Sequence, residues 1–520
     1  MEVKKNASVS VVLHYSDLMP YDKDRFSKIL NSIINQTIPP KELIILMDSK
    51  HNPEFEISSV KTIIIENKFA NTAQFLNAAI AKSRADFILY LDNQAAEITL
   101  KRSYIETALI CSERNPEMGM LYADYDLIGE AGAKEIHLLK HHAGRLRDNQ
   151  DYGKVFFFPK AALDAIGGFD AKVKYNHLYD VRLRLSGKFQ LVHIANRYAG
   201  SLYSVVAQGK GHNVFDYLLA GKDVQLEAEA VVTDHLRSIG AYLKPGAFMH
   251  ERPAVKEAQY VASVIIPVNN RPEFIESALG SVFRQTEQNI EAIVVVNGGD
   301  SDPTIQEVRK YMPGGSSYDE HYPAVKLVVT DVNNIGLSLN LGVKVAQSKY
   351  YVQLDSDDRL KPDAVEKAAA MFASDDRIGI VIGSYEVWEK KVSGEFIRMA
   401  EIPVVTHAEW TESNGRNNLL RINGAGAPRC IPIEVIKEMG WFGINDEPYA
   451  RNYGEDYDLV MKISEKYRVG RIFDPIYEVV RHSGGTDHSI DPATIDRNDE
   501  AKDYMRLLAI QRRIKLNQSK

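Results

Sequence analysis

Three aspartates stand close together directly after a short apolar run. Asp355, Asp357 and Asp358 follow residues 351–354, which read as the end of a buried strand. Carboxylate oxygens suit hard ions such as Mg²⁺ and Mn²⁺, which proteins often hold with one or two carboxylates plus substrate phosphates. The cluster therefore indicates a divalent-metal site facing a phosphorylated ligand. The alternative is a solvated acidic turn, because Asp is favoured in turns for local reasons.

A second acidic group lies about a hundred residues further on, at the start of a helical pattern. Glu455, Asp456 and Asp458 precede or open the predicted helix from Tyr457 to Tyr467. A positioned carboxylate can accept a proton from an attacking hydroxyl. The alternative is that these acids only favour the helix N-terminus through its dipole.

Length and composition bound the kind of protein that must position these groups. The chain has 520 residues, 45% of them apolar, which is enough for two to four domains. The net charge of −7 gives no basic field, so a nucleic-acid partner is not expected. Cys111 and Cys430 are far apart and fit a reducing compartment, and neither a secretion signal nor a membrane span is apparent. We therefore expect a cytoplasmic protein.

The first half of the chain repeats the second half in weakened form. Five segments recur in the same order, a pattern that favours a tandem duplication. The matched pairs are residues 10–13 with 263–266, 32–46 with 281–295, 71–77 with 334–340, 87–92 with 350–355, and 180–186 with 458–464.

Each copy opens with a strand, an amphipathic helix and a second strand. This alternation predicts an α/β fold with a mainly parallel sheet, flanking helices, and ligands at the carboxyl ends of the strands. We place one domain at residues 1–255, a second at 256–497, and a charged C-terminal helix or tail at 498–520. The helical pattern from Asp503 to Lys515 predicts a surface helix docked on the body, with membrane-surface contact as the alternative.

The second copy resembles the inverting nucleotide-sugar glycosyltransferases of family 2, which have the GT-A fold. The resemblance spans most of residues 260–482, and the first copy resembles the same family more faintly. The segments that carry it are residues 263–271, 281–286 and 334–342, the Asp355 cluster, and residues 454–459.

The resemblance implies a role for individual residues. Asp357 is the expected metal ligand, Asp355 a metal or ribose contact, Asp358 an orienting group and His482 a further metal or phosphate ligand, with Mn²⁺ or Mg²⁺ as the ion. Asp456 is the expected base, and Glu455 is expected to hold acceptor hydroxyls or the helix start. The expected nucleotide contacts are Pro267, Val268, Asn269, Arg271, Asn297, Asn334 and Asp355.

Some positions depart from the family pattern or leave alternatives open. Asn297 replaces an acid that pairs with uracil in many relatives, which weakens any claim for a uridine donor, and Leu339 replaces a common arginine. Trp410 and Trp441 are candidates for stacking on acceptor sugars or for core packing. Arg271 either reaches phosphate or caps a helix.

The first copy lacks the charged groups of the second. Asp92 is the only carboxylate left of the first cluster, and His177 and Leu178 stand where Glu455 and Asp456 stand. Neither a metal clamp nor a base can be built from these side chains. We expect this copy to be catalytically degenerate and to bind acceptor glycan, mediate assembly or support the second domain. The alternative is an active domain that uses other residues.

The sequence thus predicts a metal-dependent inverting transferase in surface polysaccharide synthesis. It would move a sugar from a nucleoside-diphosphate sugar to a hydroxyl of a glycan or lipid-linked saccharide, with peripheral membrane contact and homo-oligomer formation left open. One alternative is a nucleotidyltransferase, but such an enzyme needs a phosphate-binding loop early in the domain, and residues 265–271 do not form a convincing one. The other alternative is a non-catalytic glycan-binding scaffold.

Overall fold

The computed structural model divides the chain into two compact units, residues 1–239 and 240–520. It describes residues 7–16, 23–48, 59–130, 132–195, 201–207, 221–254, 257–406, 415–424, 426–444, 454–482 and 492–519.

The first unit alternates strands and helices in its N-terminal half and adds further strands after them. Its described strands are β1 (Val9–Ser16), β2 (Glu42–Asp48), β3 (Lys61–Glu66), β4 (Phe87–Leu91), β5 (Ala96–Leu100), β6 (Met118–Ala123), β7 (Tyr125–Gly129), β8 (Gly132–Ile136), β9 (Val155–Pro159), β10 (Gln190–Ile194) and β11 (Tyr203–Ala207). Its described helices are α1 (Lys23–Ile34), α2 (Thr72–Lys82), α3 (Tyr104–Arg114), α4 (Lys160–Ala165), α5 (His177–Ser186) and α6 (Lys222–Ser238).

The second unit repeats this alternation and ends in a long helix. Its described strands are β12 (Tyr260–Val268), β13 (Ile290–Val296), β14 (Ala324–Val329), β15 (Ser348–Gln353), β16 (Arg359–Leu360), β17 (Ile378–Lys390), β18 (Phe396–Arg398), β19 (Arg429–Pro432) and β20 (Arg468–Arg481). Its described helices are α7 (Pro272–Phe283), α8 (Thr304–Arg309), α9 (Ile335–Val345), α10 (Ala364–Ser374), α11 (Gly415–Asn418), α12 (Ile433–Glu438), α13 (Glu455–Lys466) and α14 (Pro492–Gln518).

The main sheets of the two units have the same strand order. In the described residues of the first unit it runs β3-β2-β1-β4-β9-β6-β10, and in those of the second β14-β13-β12-β15-β19-β17-β20. The central strands β1 and β12 pair in parallel with both neighbours, while β9 and β19 are antiparallel to theirs. The predicted α/β class with a mainly parallel sheet is therefore confirmed.

The central strand of each sheet is buried on both faces. Successive side chains of a strand point to opposite faces, and on β12 Val264 and Ile266 join one apolar cluster while Ile265 joins the other. On β1, Val11 and Val12 divide between two clusters in the same way. Burial on both faces explains why these strands read as continuous apolar runs in the sequence.

Both units contain the same buried polar bridge at the start of the central strand. The Ser263 hydroxyl donates to Glu291 Oε1 at 2.6 Å and contacts the Ser348 hydroxyl at 2.7 Å. The corresponding distances from the Ser10 hydroxyl are 2.8 Å to Glu42 and 2.7 Å to Ser83. The duplication seen in the sequence thus extends to individual hydrogen bonds.

The division between the units lies earlier than residue 255, where the sequence placed it. Leu243 exchanges two backbone hydrogen bonds of 3.0 Å with the side-chain amide of Asn417, and Arg252 donates to Asp376 at 2.9 Å. The segment before residue 255 therefore packs on the second unit.

Helix α14 docks on the second unit through its arginines. The Arg506 side chain is fully buried and donates to Asp503 at 2.6 Å and to the Ile422 carbonyl at 2.8 Å. Arg512 donates to both oxygens of Glu465, at 2.7 and 3.0 Å. These arginines therefore form their hydrogen bonds within the second unit. Membrane contact by this helix stays a prediction. Within the part of the chain that the structure describes, no helix has the length and apolar content needed to cross a bilayer.

Candidate active site

The first acidic cluster forms a turn at the carboxyl end of β15. The Leu354 N–H donates to the Ile265 carbonyl at 3.1 Å, so the turn begins where the pairing of β15 with β12 ends. The Asp358 N–H closes the turn on the Asp355 carbonyl at 3.0 Å. The Asp355 N–H donates to the Tyr477 hydroxyl at 3.0 Å, which fixes the turn to β20.

Asp358 differs from the other two aspartates of this turn. Its side chain is buried, and its Oδ1 accepts the Val480 N–H at 2.7 Å. Burial raises the pKa of Asp358 well above its ordinary value, and the charges of Asp357 and Asp355 add to the rise. The hydrogen bond from the Val480 N–H anchors the Asp358 side chain, and with it the turn, against β20.

Asp357 contacts two other predicted site residues, Arg271 and His482. Its Oδ2 accepts a hydrogen bond from Arg271 Nη1 at 2.8 Å and lies 3.1 Å from His482 Nε2. Arg271 immediately precedes α7, and its N–H donates to the Thr304 hydroxyl at 3.0 Å. The arginine therefore bounds a helix and also reaches the acidic turn.

The residues around Asp357 fit a divalent ion that takes further ligands from substrate. A carboxylate oxygen and an imidazole nitrogen 3.1 Å apart can bind the same Mn²⁺ or Mg²⁺ ion. Within the described residues, no group of three or more His, Cys, Asp or Glu side chains has metal-binding geometry. The phosphates of a nucleotide are the usual source of the missing oxygens. Burial raises the pKa of the neighbouring Asp355, and the charge of Asp357 adds to the rise while Arg429 opposes it.

The second acidic cluster opens α13, directly after Gly454. This glycine has a φ of 87°, a left-handed conformation that side chains disfavour. Asp456 Oδ1 accepts the Tyr457 N–H at 2.7 Å, and its Oδ2 lies 3.0 Å from Arg429 Nη2. Both oxygens of the predicted base are thus held in place.

Two side chains connect the acidic clusters. Arg429 Nε donates to Gln353 Oε1 at 3.2 Å, and Gln353 Nε2 donates to Asp355 Oδ1 at 3.1 Å. The contacts therefore run from Asp355 through Gln353 and Arg429 to Asp456. The structure brings the two predicted acidic clusters to one edge of one sheet.

The two carboxyls that open α13 have opposite electrostatic environments. Burial raises the pKa of Glu455 to about 7, and the charge of Asp456 adds to the rise. Burial also disfavours the ionised form of Asp456, but the positive charges of Arg429 and Lys502 outweigh it and lower the pKa. Asp456 is thus fully ionised at neutral pH, while Glu455 is divided between its two forms.

A chain of amides joins the ends of β12 and β13 to α9. Asn269 Nδ2 donates to Asn297 Oδ1 at 2.9 Å, and Asn297 Nδ2 donates to the Ser338 hydroxyl at 3.0 Å. Asn334 caps α9, since its Oδ1 accepts the Leu337 N–H at 2.8 Å. Asn297 is buried, so its observed contacts are structural, and nucleotide binding by it stays a prediction.

The remaining predicted positions are mostly part of the core. Pro267 and Val268 are buried, and Val268 packs in the apolar core, which leaves Asn269 as the partly exposed side chain at the end of β12. Leu339 is also buried. Trp441 is partly buried against the core, and Trp410 lies outside the described residues.

Gln353, Arg429 and Tyr477 contact the predicted site residues but were not among them. A comparison of the copies contained a signal, because the strand register places Tyr90 at the position of Gln353 and Phe156 at that of Arg429. In the first unit these two rings stack, with centroids 6.4 Å apart. A pair of positions that is polar in one copy and aromatic in the other indicates that the two copies use these positions differently.

The first unit has no counterpart of this charge arrangement among its described residues. Asp92 pairs with Lys154 at 3.2 Å. His177, at the start of α5, is largely buried, and burial lowers its pKa. These contacts agree with the expectation that this copy is catalytically degenerate, which stays a prediction.

Comparisons with known proteins identify a family within the second unit. A sequence model of the glycosyl transferase family 2 matches residues 263–422, which include β12, the amide chain and the turn at Asp355. The second unit contains a glycosyltransferase family 2 domain. The match ends before Arg429 and Asp456, which the fold places next to the matched part.

Known glycosyltransferases share limited similarity with the chain. An uncharacterised glycosyltransferase of Haemophilus influenzae is 30% identical over 127 residues, which cover 24% of this chain and 36% of that protein. The chondroitin synthase of Pasteurella multocida is 28% identical over 228 residues, which cover 43% of this chain and 21% of the synthase. The chain thus spans well under half the length of either relative.

A solved mannosyltransferase also resembles the chain. The enzyme is from Pyrobaculum calidifontis, and its structure was solved in complex with GDP-Man and Mn²⁺. Its sequence is 15% identical to this chain, and the match covers 58% of this chain and 83% of the mannosyltransferase, with a TM-score of 0.34.

Proposed function

We propose that the family 2 domain is a metal-dependent inverting glycosyltransferase that transfers a sugar from a nucleoside-diphosphate sugar to a hydroxyl of a growing glycan or lipid-linked saccharide. The observation that carries the proposal is the chain of contacts from Asp355 to Asp456. It allows one sugar ring to lie between a phosphate-binding acidic turn and a separate base.

The acidic turn provides the side for the leaving group. Asp357 and His482 are the residues that would hold Mn²⁺ or Mg²⁺, and Arg271 adds a fixed positive charge at the same carboxylate. A bound divalent ion would stabilise the negative charge of the departing diphosphate. Arg271 is suited to bind the same phosphate oxygens, because a guanidinium matches phosphate geometry.

The start of α13 provides the side for the acceptor. Asp456 is ionised at neutral pH and can take the proton of an attacking hydroxyl. Glu455 has a pKa of about 7 and can donate or accept a hydrogen bond to a neighbouring sugar hydroxyl. A base placed opposite the leaving group requires in-line attack, which inverts the anomeric carbon and gives a β-linked product from an α-linked donor.

The proposed acceptor and location follow from the relatives and from the state of the cysteines. Relatives that include a chondroitin synthase favour a polysaccharide or lipid-linked saccharide acceptor. Cys111 and Cys430 are both free thiols, which suits a reducing compartment. We therefore place the reaction in the cytoplasm, at or near the membrane where such acceptors grow.

The direct test is a donor screen with purified full-length protein. UDP-, GDP- and dTDP-sugars are incubated with Mn²⁺ or Mg²⁺, and release of the nucleoside diphosphate is measured for the wild type, Asp357→Ala and Asp456→Asn. We expect metal-dependent turnover of at least one donor. Asp456→Asn should lower kcat by about 10²–10⁴-fold, because it removes a general base.

Two outcomes would contradict the proposal. Turnover that persists after complete chelation would remove the metal from the reaction. Undiminished turnover by a folded Asp456→Asn protein would remove that residue from the role of base. Thermal unfolding of each variant serves as the control for folding.

A further inference from the structure

The first unit contains a cavity of about 320 Å³ at the carboxyl ends of its first three strands. Tyr15 and Ser16 at the end of β1, Asp48 at the end of β2 and Asn67 after β3 line it. Ligands of α/β sheets bind in this position. The cavity is therefore located as a binding site would be, although the unit lacks the acidic clusters of the second.

One wall of this cavity is aromatic. The rings of Phe69 and Phe75 stack with centroids 5.4 Å apart, and His14 meets Phe75 edge to face at 5.9 Å. Phe69 is partly exposed, whereas Phe75 is buried beneath it. Such a wall offers a flat apolar surface to the C–H face of a ring-shaped ligand.

The rest of the lining is polar and offers hydrogen bonds from several directions. Asp48, Asn67 and Gln94 are exposed at the cavity. Gln94 Nε2 lies 3.3 Å from His14 Nε2, which orients the amide, and Asn67 Oδ1 accepts the Phe69 N–H at 3.1 Å. A carboxylate and two amides can together bind several hydroxyl groups.

The charge of the cavity disfavours a nucleotide. Among the described residues that line it, none is a Lys or Arg, and Asp48 is negative. His14 is neutral at physiological pH because burial lowers its pKa to about 4. A diphosphate would meet the Asp48 carboxylate with no Lys or Arg to offset it among the described lining residues, while a neutral ring with hydroxyl groups meets no such cost.

We propose that the first unit binds a neutral sugar residue in this cavity, with the ring against Phe69 and its hydroxyls on Asp48, Asn67 and Gln94. The inference rests on the proposed function in one respect, the assignment of this sugar to the acceptor glycan. The first unit would then retain the glycan while the second extends it.

Saturation-transfer NMR on full-length protein tests this site. The probes are the methyl glycosides of glucose, galactose, mannose, N-acetylglucosamine and N-acetylgalactosamine, without metal or nucleotide. We expect at least one to bind the wild type, and to bind Phe69→Ala at least about fivefold more weakly because the stacking surface is lost. Gln94→Ala, a change at an exposed side chain, should also weaken binding. Asp357→Ala, in the second unit, is the matched control and should leave binding unchanged.

The results separate this inference from the proposed function. Absence of binding by all five glycosides, or equal binding by a folded Phe69→Ala protein, would overturn the inference even if the donor screen succeeds. Metal-free competition by UDP or GDP that persists in Asp357→Ala but disappears in Phe69→Ala would make the cavity a nucleotide site and would also overturn it. Glycoside binding with no donor turnover would overturn the proposed function alone.

Discussion

Replacement of Arg429 by methionine should change the pH dependence of the reaction. The guanidinium lies 3.0 Å from Asp456 and is the largest influence that lowers the pKa of that carboxyl, whereas burial raises it. In Arg429→Met the burial and the neighbouring Glu455 remain, but the positive charge is gone. A nearby opposite charge typically lowers a carboxyl pKa by about 1–3 units, so the pKa of Asp456 should rise by about that amount.

The sign of the effect follows from the role of a base. As the proposed base, Asp456 must be ionised to accept a proton, so activity should be present above its pKa and lost as the pH falls through it. In the wild type this loss should occur below the ordinary range of a carboxyl. In Arg429→Met it should begin about 1–3 pH units higher, which corresponds to about 1.4 kcal/mol per unit.

The assay is the pH profile of kcat/KM for metal-dependent donor turnover. Arg429→Lys is the control, because it keeps a positive charge near Asp456 and should shift the acidic limb less. Thermal unfolding accompanies both variants, since removal of one partner of this partly buried ion pair can also destabilise the fold. An acidic limb that stays in place in folded Arg429→Met protein would refute the reasoning. A wild-type limb near pH 7 would assign the proton transfer to Glu455, whose pKa is about 7.

Two further predictions address the neighbouring carboxyl and the shared framework. Glu455→Gln should reduce kcat far less than the about 10²–10⁴-fold loss that follows removal of a general base, and a loss of that size would make Glu455 the base. Ser263→Ala and Ser10→Ala should each destabilise the protein by about 1–3 kcal/mol in urea unfolding, because each leaves a buried glutamate with one hydrogen bond fewer. A loss of stability in only one of the two variants would contradict the conclusion that the two units share this buried hydrogen-bonded framework.

Much of the fold could be predicted from local pattern and from comparison of the two copies. Asn334 and Asn340 illustrate this, because they recur as Asn71 and Asn77, and Asn334 and Asn71 each cap the helix that follows them. Asn340 exchanges hydrogen bonds of 2.9 and 3.0 Å with the Phe442 backbone, and Asn77 exchanges bonds of 2.8 and 2.9 Å with the Phe169 backbone. Residues that hold the framework keep their spacing in both copies, so a single sequence reveals them.

The central part of the site was harder to predict because it depends on contacts between distant strands. Arg429 and Gln353 are 76 positions apart and meet only because β19 pairs with the strand that carries Gln353. Conversely, Val268 lies in a segment that resembles a nucleotide site, but its side chain packs in the core. Residue type and spacing located the acidic clusters, and the strand order determined how they are connected.

The central claim is that one sugar ring lies between the acidic turn and the start of α13. The most direct measurement is a crystal structure of the Asp456→Asn protein with Mn²⁺ and an intact nucleotide sugar, with the metal located by its anomalous signal. We expect Mn²⁺ on Asp357 and the donor phosphates, and residue 456 on the face of the anomeric carbon opposite the diphosphate. A donor whose anomeric carbon lies out of reach of residue 456, or a metal bound away from Asp357, would contradict it.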